Sequence, residues 1–214
     1  SGYRANSKLC KIELALSILQ KYWRHSAFRP LQEDIIGSVL KGQDTLALLP
    51  TGGGKSVCFQ VPAMLLEGVC IVITPLIALM KDQVSQLKQR GIEAISIHSG
   101  MTRQQVDISL DNCIHGAVKF LYVSPERLQT ELFTVRVKQM KVGLIAVDEA
   151  HCISQWGYDF RPPYLQIATL RELVPDVTVI ALTASATEIV CQDIQEKLAF
   201  RPNAVFFKKW FARE

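Results

Sequence analysis

A chain of 214 residues, 49% hydrophobic and 21% charged, has the balance of a soluble globular protein and the length for one substantial α/β domain. Its longest apolar runs are strand-length, far below the roughly 20 residues that span a bilayer, so no membrane partner is expected, and Ser1-Gly2-Tyr3-Arg4 is no apolar signal region. A net charge of +4 is compatible with a polyanionic partner without arguing for one, and six cysteines scattered without a CxxC pair read as reduced thiols, not a zinc site, which favours an intracellular setting (cytoplasm, nucleoid or nucleus).

Ile12, Ala15, Leu16, Leu19 and Trp23 recur at helical spacing, and so do Leu31, Ile35, Ile36, Val39 and Leu40. Between these two helices lies His25-Ser26-Ala27-Phe28-Arg29-Pro30-Leu31-Gln32. Residues 45–49 form the first strand-length apolar run, followed at once by Pro50-Thr51-Gly52-Gly53-Gly54-Lys55-Ser56 and a helical stretch. Three consecutive glycines let the backbone curl so that its N–H groups point at phosphate oxygens, and the next helix adds its positive end. Lys55 is placed to reach the β- and γ-phosphates of a nucleoside triphosphate, and the Ser56 hydroxyl to coordinate Mg²⁺. Leu49 stands where the general phosphate-loop pattern has glycine.

Further strands are expected at 69–73, 94–97, 119–123, 144–147 and 178–182, alternating with amphipathic helices at 76–90, 102–115, 165–174 and 188–198. Strands apolar on both faces and separated by helices predict a mostly parallel sheet covered by helices on both sides, with ligands at the carboxyl ends of its strands. Several polar segments fall at those ends. Thr74-Pro75 follows the second strand, and Ser124-Pro125-Glu126-Arg127 follows the fourth. Asp148-Glu149-Ala150-His151 follows the fifth, and Thr183-Ala184-Ser185-Ala186-Thr187 the last.

Two adjacent carboxylates at a buried strand end repel each other unless a cation is present. With magnesium and a nucleotide, Asp148 would hold the metal and Glu149 would orient and deprotonate the attacking water. His151 would sense the γ-phosphate through a neighbouring loop. The phosphate loop and the acidic strand end together point to nucleoside triphosphate hydrolysis. Directly after them, Cys152-Ile153-Ser154-Gln155-Trp156-Gly157-Tyr158-Asp159-Phe160-Arg161-Pro162-Pro163-Tyr164 crowds four aromatic residues into a Gly- and Pro-interrupted segment that reads as a loop. Aromatic rings on such a loop offer stacking platforms to unpaired bases.

Over residues 23–213 these segments resemble superfamily 2 helicases, and the RecQ family in particular. The resemblance implies a RecA-like phosphate-loop NTPase fold for residues 1–207, with 208–214 beginning the link to a second RecA-like lobe. It implies ATP and Mg²⁺ as cofactors, with His25, Arg29 and Gln32 at the adenine and Thr51, Gly52, Gly53, Gly54, Lys55 and Ser56 at the phosphates. Thr74, Ser124, Trp156, Phe160 and Arg161 would meet DNA, single-stranded or partly duplex. Gln155, Tyr158, Thr183, Ser185 and Thr187 would couple DNA to hydrolysis, while Glu126 and Arg127 would be mainly structural.

Four positions depart from the RecQ pattern. Arg24 stands for Gly, Tyr158 for His, Pro163 for Glu and Trp210 for Ser. The activity implied is 3′-to-5′ DNA unwinding. Because the arginine fingers of such motors come from the second lobe, the 214-residue chain is expected to bind nucleotide, to hydrolyse it slowly and not to unwind. An RNA-dependent ATPase and a nucleotide-gated nucleic-acid-binding module without turnover remain open alternatives.

Overall fold

A computed structural model describes residues 2–52 and 54–209, with side chains from residue 10 onward; Gly53 and residues 210–214 lie outside the described residues. Helix α1 (Gly2–Ile18) ends in a π-helical turn (Leu19–Trp23), and α2 (Gln32–Leu40) follows. From there strand and helix alternate. The order is β1 (Thr45–Leu48), α3 (Lys55–Leu65), β2 (Val69–Ile73), α4 (Ile77–Gln89), β3 (Ala94–Ile97) and α5 (Arg103–His115). It continues with β4 (Phe120–Val123), α6 (Glu131–Val137), β5 (Val142–Val147), α7 (Ile167–Leu173), β6 (Val179–Thr183), α8 (Glu188–Lys197) and β7 (Val205–Lys208).

All six strand pairings are parallel, and the seven strands lie in the order β3-β4-β2-β5-β6-β1-β7. Each inner strand alternates between two cores, because successive side chains leave opposite faces of the sheet. Cys70, Val72, Phe120, Tyr122, Leu144 and Ala146 face α1–α4, whereas Ile71, Ile73, Leu121, Val123, Ile145 and Val147 face α5–α8. This double burial explains the near-continuous apolar runs.

Six strands fall where the sequence placed them, to within two residues. The sequence reading missed α6 and β7. β7 is a four-residue edge strand that alternates between half-buried and exposed. It runs to Lys208, one residue beyond the expected end of the lobe. Leu49 directly follows its neighbour β1. The Leu49 amide donates to Thr183 O at 3.1 Å and its side chain is buried in the α1–α4 core. A leucine therefore fits where the phosphate-loop pattern has glycine. No helix of the described residues is long and apolar enough to cross a membrane.

The amino ends of β1, β6 and β7 are tied by one fully buried carboxylate. Asp44 Oδ2 accepts from Arg171 Nη2 (2.6 Å), from the Arg201 amide (2.8 Å) and from Arg201 Nε (3.1 Å). Asp44 Oδ1 accepts from the Val179 amide (2.9 Å) and Arg201 Nη2 (3.1 Å). A buried charge this well paired holds its geometry, since removal of one partner would strand the others.

Candidate functional site

Opposite that clamp, the carboxyl ends of β1 and β5 open into a cleft of about 450 Å³. Thr51, Gly52, Gly54, Lys55 and Ser56 form one wall, Asp148 and Glu149 the other, and His25 and Arg29 stand at its rim. The loop turns through left-handed backbone at Gly52 (φ 78) and Gly54 (φ 74), a conformation that disfavours side chains. Gly54 also lacks room for one, since an added Cβ would sit 2.3 Å from Gln32 Nε2.

Two residues expected at the adenine instead brace this loop. Arg29 Nη1 donates to Gly52 O at 2.6 Å, and Gln32 Nε2 donates to Gly54 O at 3.1 Å. Gln32 Oε1 accepts from the Arg29 amide at 2.7 Å, so both ends of the buried Gln32 side chain are committed. His25 is exposed, and with Arg29, Gln32, Gly54 and Val57 it borders a smaller chamber of about 180 Å³ beside the loop. Arg24, which replaces glycine, holds the left-handed conformation (φ 58, ψ 30) that explains why glycine suits this turn.

Lys55 Nζ lies 3.9 Å from Glu149 Oε1 across the cleft. The Asp148 carboxyl is pushed up to about 6, first by burial and then by the neighbouring Glu149 charge, while Lys55 and the Glu149 amide pull it back. Glu149 itself is held at φ 50. Ser56 and Asp148 supply oxygen donors on opposite walls, the ligand type a hard divalent cation takes. Such a cation would remove the repulsion that now raises Asp148.

His151 is buried, and its Nδ1 lies 2.8 Å from Thr183 Oγ1. The Thr183 hydroxyl donates to Ser185 O at 3.2 Å, which leaves it to accept from His151 Nδ1–H. Burial lowers the His151 pKa, against the pull of Glu149 Oε2 at 3.4 Å from Nδ1. Its face is covered by Tyr158, stacked at 4.8 Å between centroids and 16° between planes. Ser185 contributes its carbonyl to this link, and Thr187 caps α8 by accepting from the Val190 amide at 3.3 Å.

The aromatic segment divides in two. Trp156 and Tyr158 are 75% and 76% exposed, and Gln155 is exposed beside them. Phe160 and Arg161 are half-buried, with Arg161 Nη2 3.3 Å from Asp159 and the Arg161 amide bonded to Cys152 O. Tyr164 belongs to the core instead: it is fully buried and its hydroxyl donates to Asp148 O at 2.9 Å. It is thus a support for the acidic strand end and not a stacking platform.

Thr74 and Ser124 follow the neighbouring strands β2 and β4, but both residues are only 2% exposed, and among the described residues neither hydroxyl has a hydrogen-bond partner. Both sit at the strand ends where the sequence reading placed them, below the surface. Arg127 Nε and Nη2 donate to His98 O (3.0 Å) and Met101 O (2.7 Å), bracing the turn after β3. Trp23, Gln60, Gln83, Gln86 and Arg90 also line the cleft, and no motif in the sequence marks them.

Residues 29–194 match the family model described as DEAD/DEAH box helicase. The chain is 46% identical over 192 residues to the ATP-dependent DNA helicase RecQ of Haemophilus influenzae, covering 90% of this chain and 31% of that protein. It is 45% identical over 203 residues to the ATP-dependent DNA helicase RecQ of Bacillus subtilis, covering 94% of this chain and 34% of the relative. The chain thus spans about a third of the length of these curated relatives. The resemblance to the RecQ family read from the sequence agrees with both. Among solved structures, the Pyrococcus furiosus Hef helicase domain superposes with a TM-score of 0.64 at 20% identity, over 84% of this chain and 38% of that one, a likeness of fold.

Proposed function

The chain belongs to the DEAD/DEAH box helicase family, and on that footing we propose that it is the ATP-binding lobe of a 3′-to-5′ DNA helicase of RecQ type. The observation that carries this reading is the cleft in which Lys55 faces Glu149 at 3.9 Å, between a left-handed glycine loop and a buried acidic strand end. Lys55 and the loop amides bind the phosphates. Glu149, half a charge-pair with Lys55 before nucleotide arrives, turns to the attacking water once Lys55 is drawn to phosphate. Ser56 and Asp148 would hold magnesium, which neutralises phosphate charge when bound. His151, tied to Thr183, reports on the site to the strand end of β6.

Trp156 supports a single-stranded nucleic acid as the second ligand, because a ring so exposed on a loop five residues past His151 has little packing role. DNA as the strand, the linking role of 208–214 and a second RecA-like lobe as partner rest on the RecQ resemblance and on the names of the relatives. The test is binding by the chain itself. ATP should bind only with Mg²⁺ and lose at least about tenfold in affinity in Lys55→Ala, a loss of about 1.4 kcal/mol. A deoxyribonucleotide single strand should quench Trp156 fluorescence and outcompete a ribonucleotide strand of the same length. No nucleotide binding would sink the ATPase reading, and equal competition by RNA would move the lobe to the RNA-dependent class.

A further inference from the structure

Tyr122 is among the largest fully buried side chains of the molecule. A phenol in an apolar core must find partners for its hydroxyl, or the group is costly to bury. Tyr122 finds two, from different helices. Gln60 Nε2 of α3 donates to the Tyr122 hydroxyl at 2.9 Å, and that hydroxyl donates to Gln83 Oε1 of α4 at 2.8 Å. Phe120, on the same face of β4, fills its place in the core with no hydroxyl. Packing alone therefore does not demand the oxygen at Tyr122.

The three elements joined are the ones that matter to both proposed ligands. Gln60 lies one helical turn beyond Ser56, on the helix that begins with Lys55. Gln83 lies on the helix that follows Thr74, and Tyr122 precedes Ser124 by two residues in its strand. Gln60 and Gln83 both border the cleft with Lys55, Ser56, Asp148 and Glu149. At the ends of the adjacent strands β2 and β4, the buried hydroxyls of Thr74 and Ser124 have no partner. They would gain one if α4 shifted and admitted a phosphate oxygen.

We propose that Gln60, Tyr122 and Gln83 are positioning residues: their hydrogen-bonded chain ties the phosphate-binding helix to the strand ends at Thr74 and Ser124, so that nucleotide and single-strand binding are coupled through the Tyr122 hydroxyl. The inference rests on the proposed function, since it needs both ligands. Filling the phosphate loop moves α3 against the sheet, Gln60 carries the displacement to Tyr122, and Gln83 passes it to α4. Polar links of this kind in a low-dielectric core have few alternative arrangements, which suits them to transmit a small shift.

The experiment measures the affinity of the chain for Mg²⁺ with a nonhydrolysable ATP analogue, with and without a saturating oligothymidylate, in wild type and Tyr122→Phe. Wild type should show a change of about fivefold or more on adding the strand, and Tyr122→Phe should bind each ligand alone within about twofold of wild type while the coupling ratio falls close to one. Gln83→Met should lose the coupling likewise, which keeps the test available if Tyr122→Phe folds poorly. A purely structural role would lower stability and leave the coupling ratio intact, overturning the proposal. Wild type that binds both ligands without coupling would also overturn it and leave the proposed function standing. Wild type that binds neither would remove the proposed function as well.

Discussion

The two ends of the same parallel sheet are built on opposite rules. At the amino end, Asp44 is fully buried and receives five hydrogen bonds from Arg171, Arg201 and the Val179 and Arg201 amides. At the carboxyl end, Asp148 is buried beside Glu149 and its pKa is driven up, not held down. Two hydroxyls there lack partners, and Arg24, Leu31 and Glu149 near the cleft carry left-handed backbone. A satisfied carboxylate stabilises the fold. A buried carboxylate whose pKa is raised is costly to the fold, and a protein retains such costs where function repays them.

The largest effect expected from this contrast is on turnover. Glu149→Gln removes a base while keeping the side chain's size and its place beside Lys55 and His151, so ATP turnover should fall by about 10²–10⁴ with nucleotide affinity and melting temperature nearly unchanged. Steady-state hydrolysis alongside calorimetric binding checks it; undiminished turnover would remove Glu149 from its role. Asp44→Asn should act the other way, destabilising the fold by about 3–5 kcal/mol in denaturant titrations, because Arg171 and Arg201 would be left facing an uncharged amide. Stability within error of wild type would show that the clamp is not what holds the amino end.

Smaller effects sharpen the carboxyl end itself. Trp156→Ala should weaken single-strand binding by about 1–3 kcal/mol, the worth of one stacked base, without touching nucleotide affinity. If it destabilises the chain and leaves strand binding alone, the ring is a packing residue. Arg24→Gly should relieve a left-handed residue and raise stability by about 1 kcal/mol, measured as a shift in the unfolding midpoint. A loss instead would mean that the Arg24 side chain does more than its backbone costs.

The carboxyl end was largely legible in the sequence because its signals are local. Glycine, lysine and serine in one loop, or two acids after four apolar residues, announce phosphate and metal chemistry at a spacing of a few residues. The amino-end clamp was not legible, since Asp44 meets Arg171 and Arg201 across 127 and 157 residues of chain. The Gln60–Tyr122–Gln83 chain escaped for the same reason. Spacing also says nothing about depth. Thr74 and Ser124 have the right residue types at the right strand ends, and Tyr164 has the right type on the aromatic segment, yet all three are buried. Gln32, read as a base-contacting amide, is spent on Gly54 and Arg29. β7 offered too short a run, half of it exposed, to register as a strand.

The comparison is tested most directly by Asp148→Asn, measured for stability and for Mg²⁺-dependent ATP binding across pH 5–8. In the wild type the folded Asp148 holds its proton more tightly than the unfolded chain does, so its share of stability is greatest at low pH and is lost as pH rises from 3.8 to about 6. Over the same interval magnesium–nucleotide affinity should rise, since the cation binds the ionised form. Asp148→Asn should therefore match or exceed wild-type stability at pH 8, while binding magnesium and ATP more weakly and without that pH dependence. A variant that is destabilised as Asp44→Asn is expected to be, yet binds the nucleotide normally, would contradict the account.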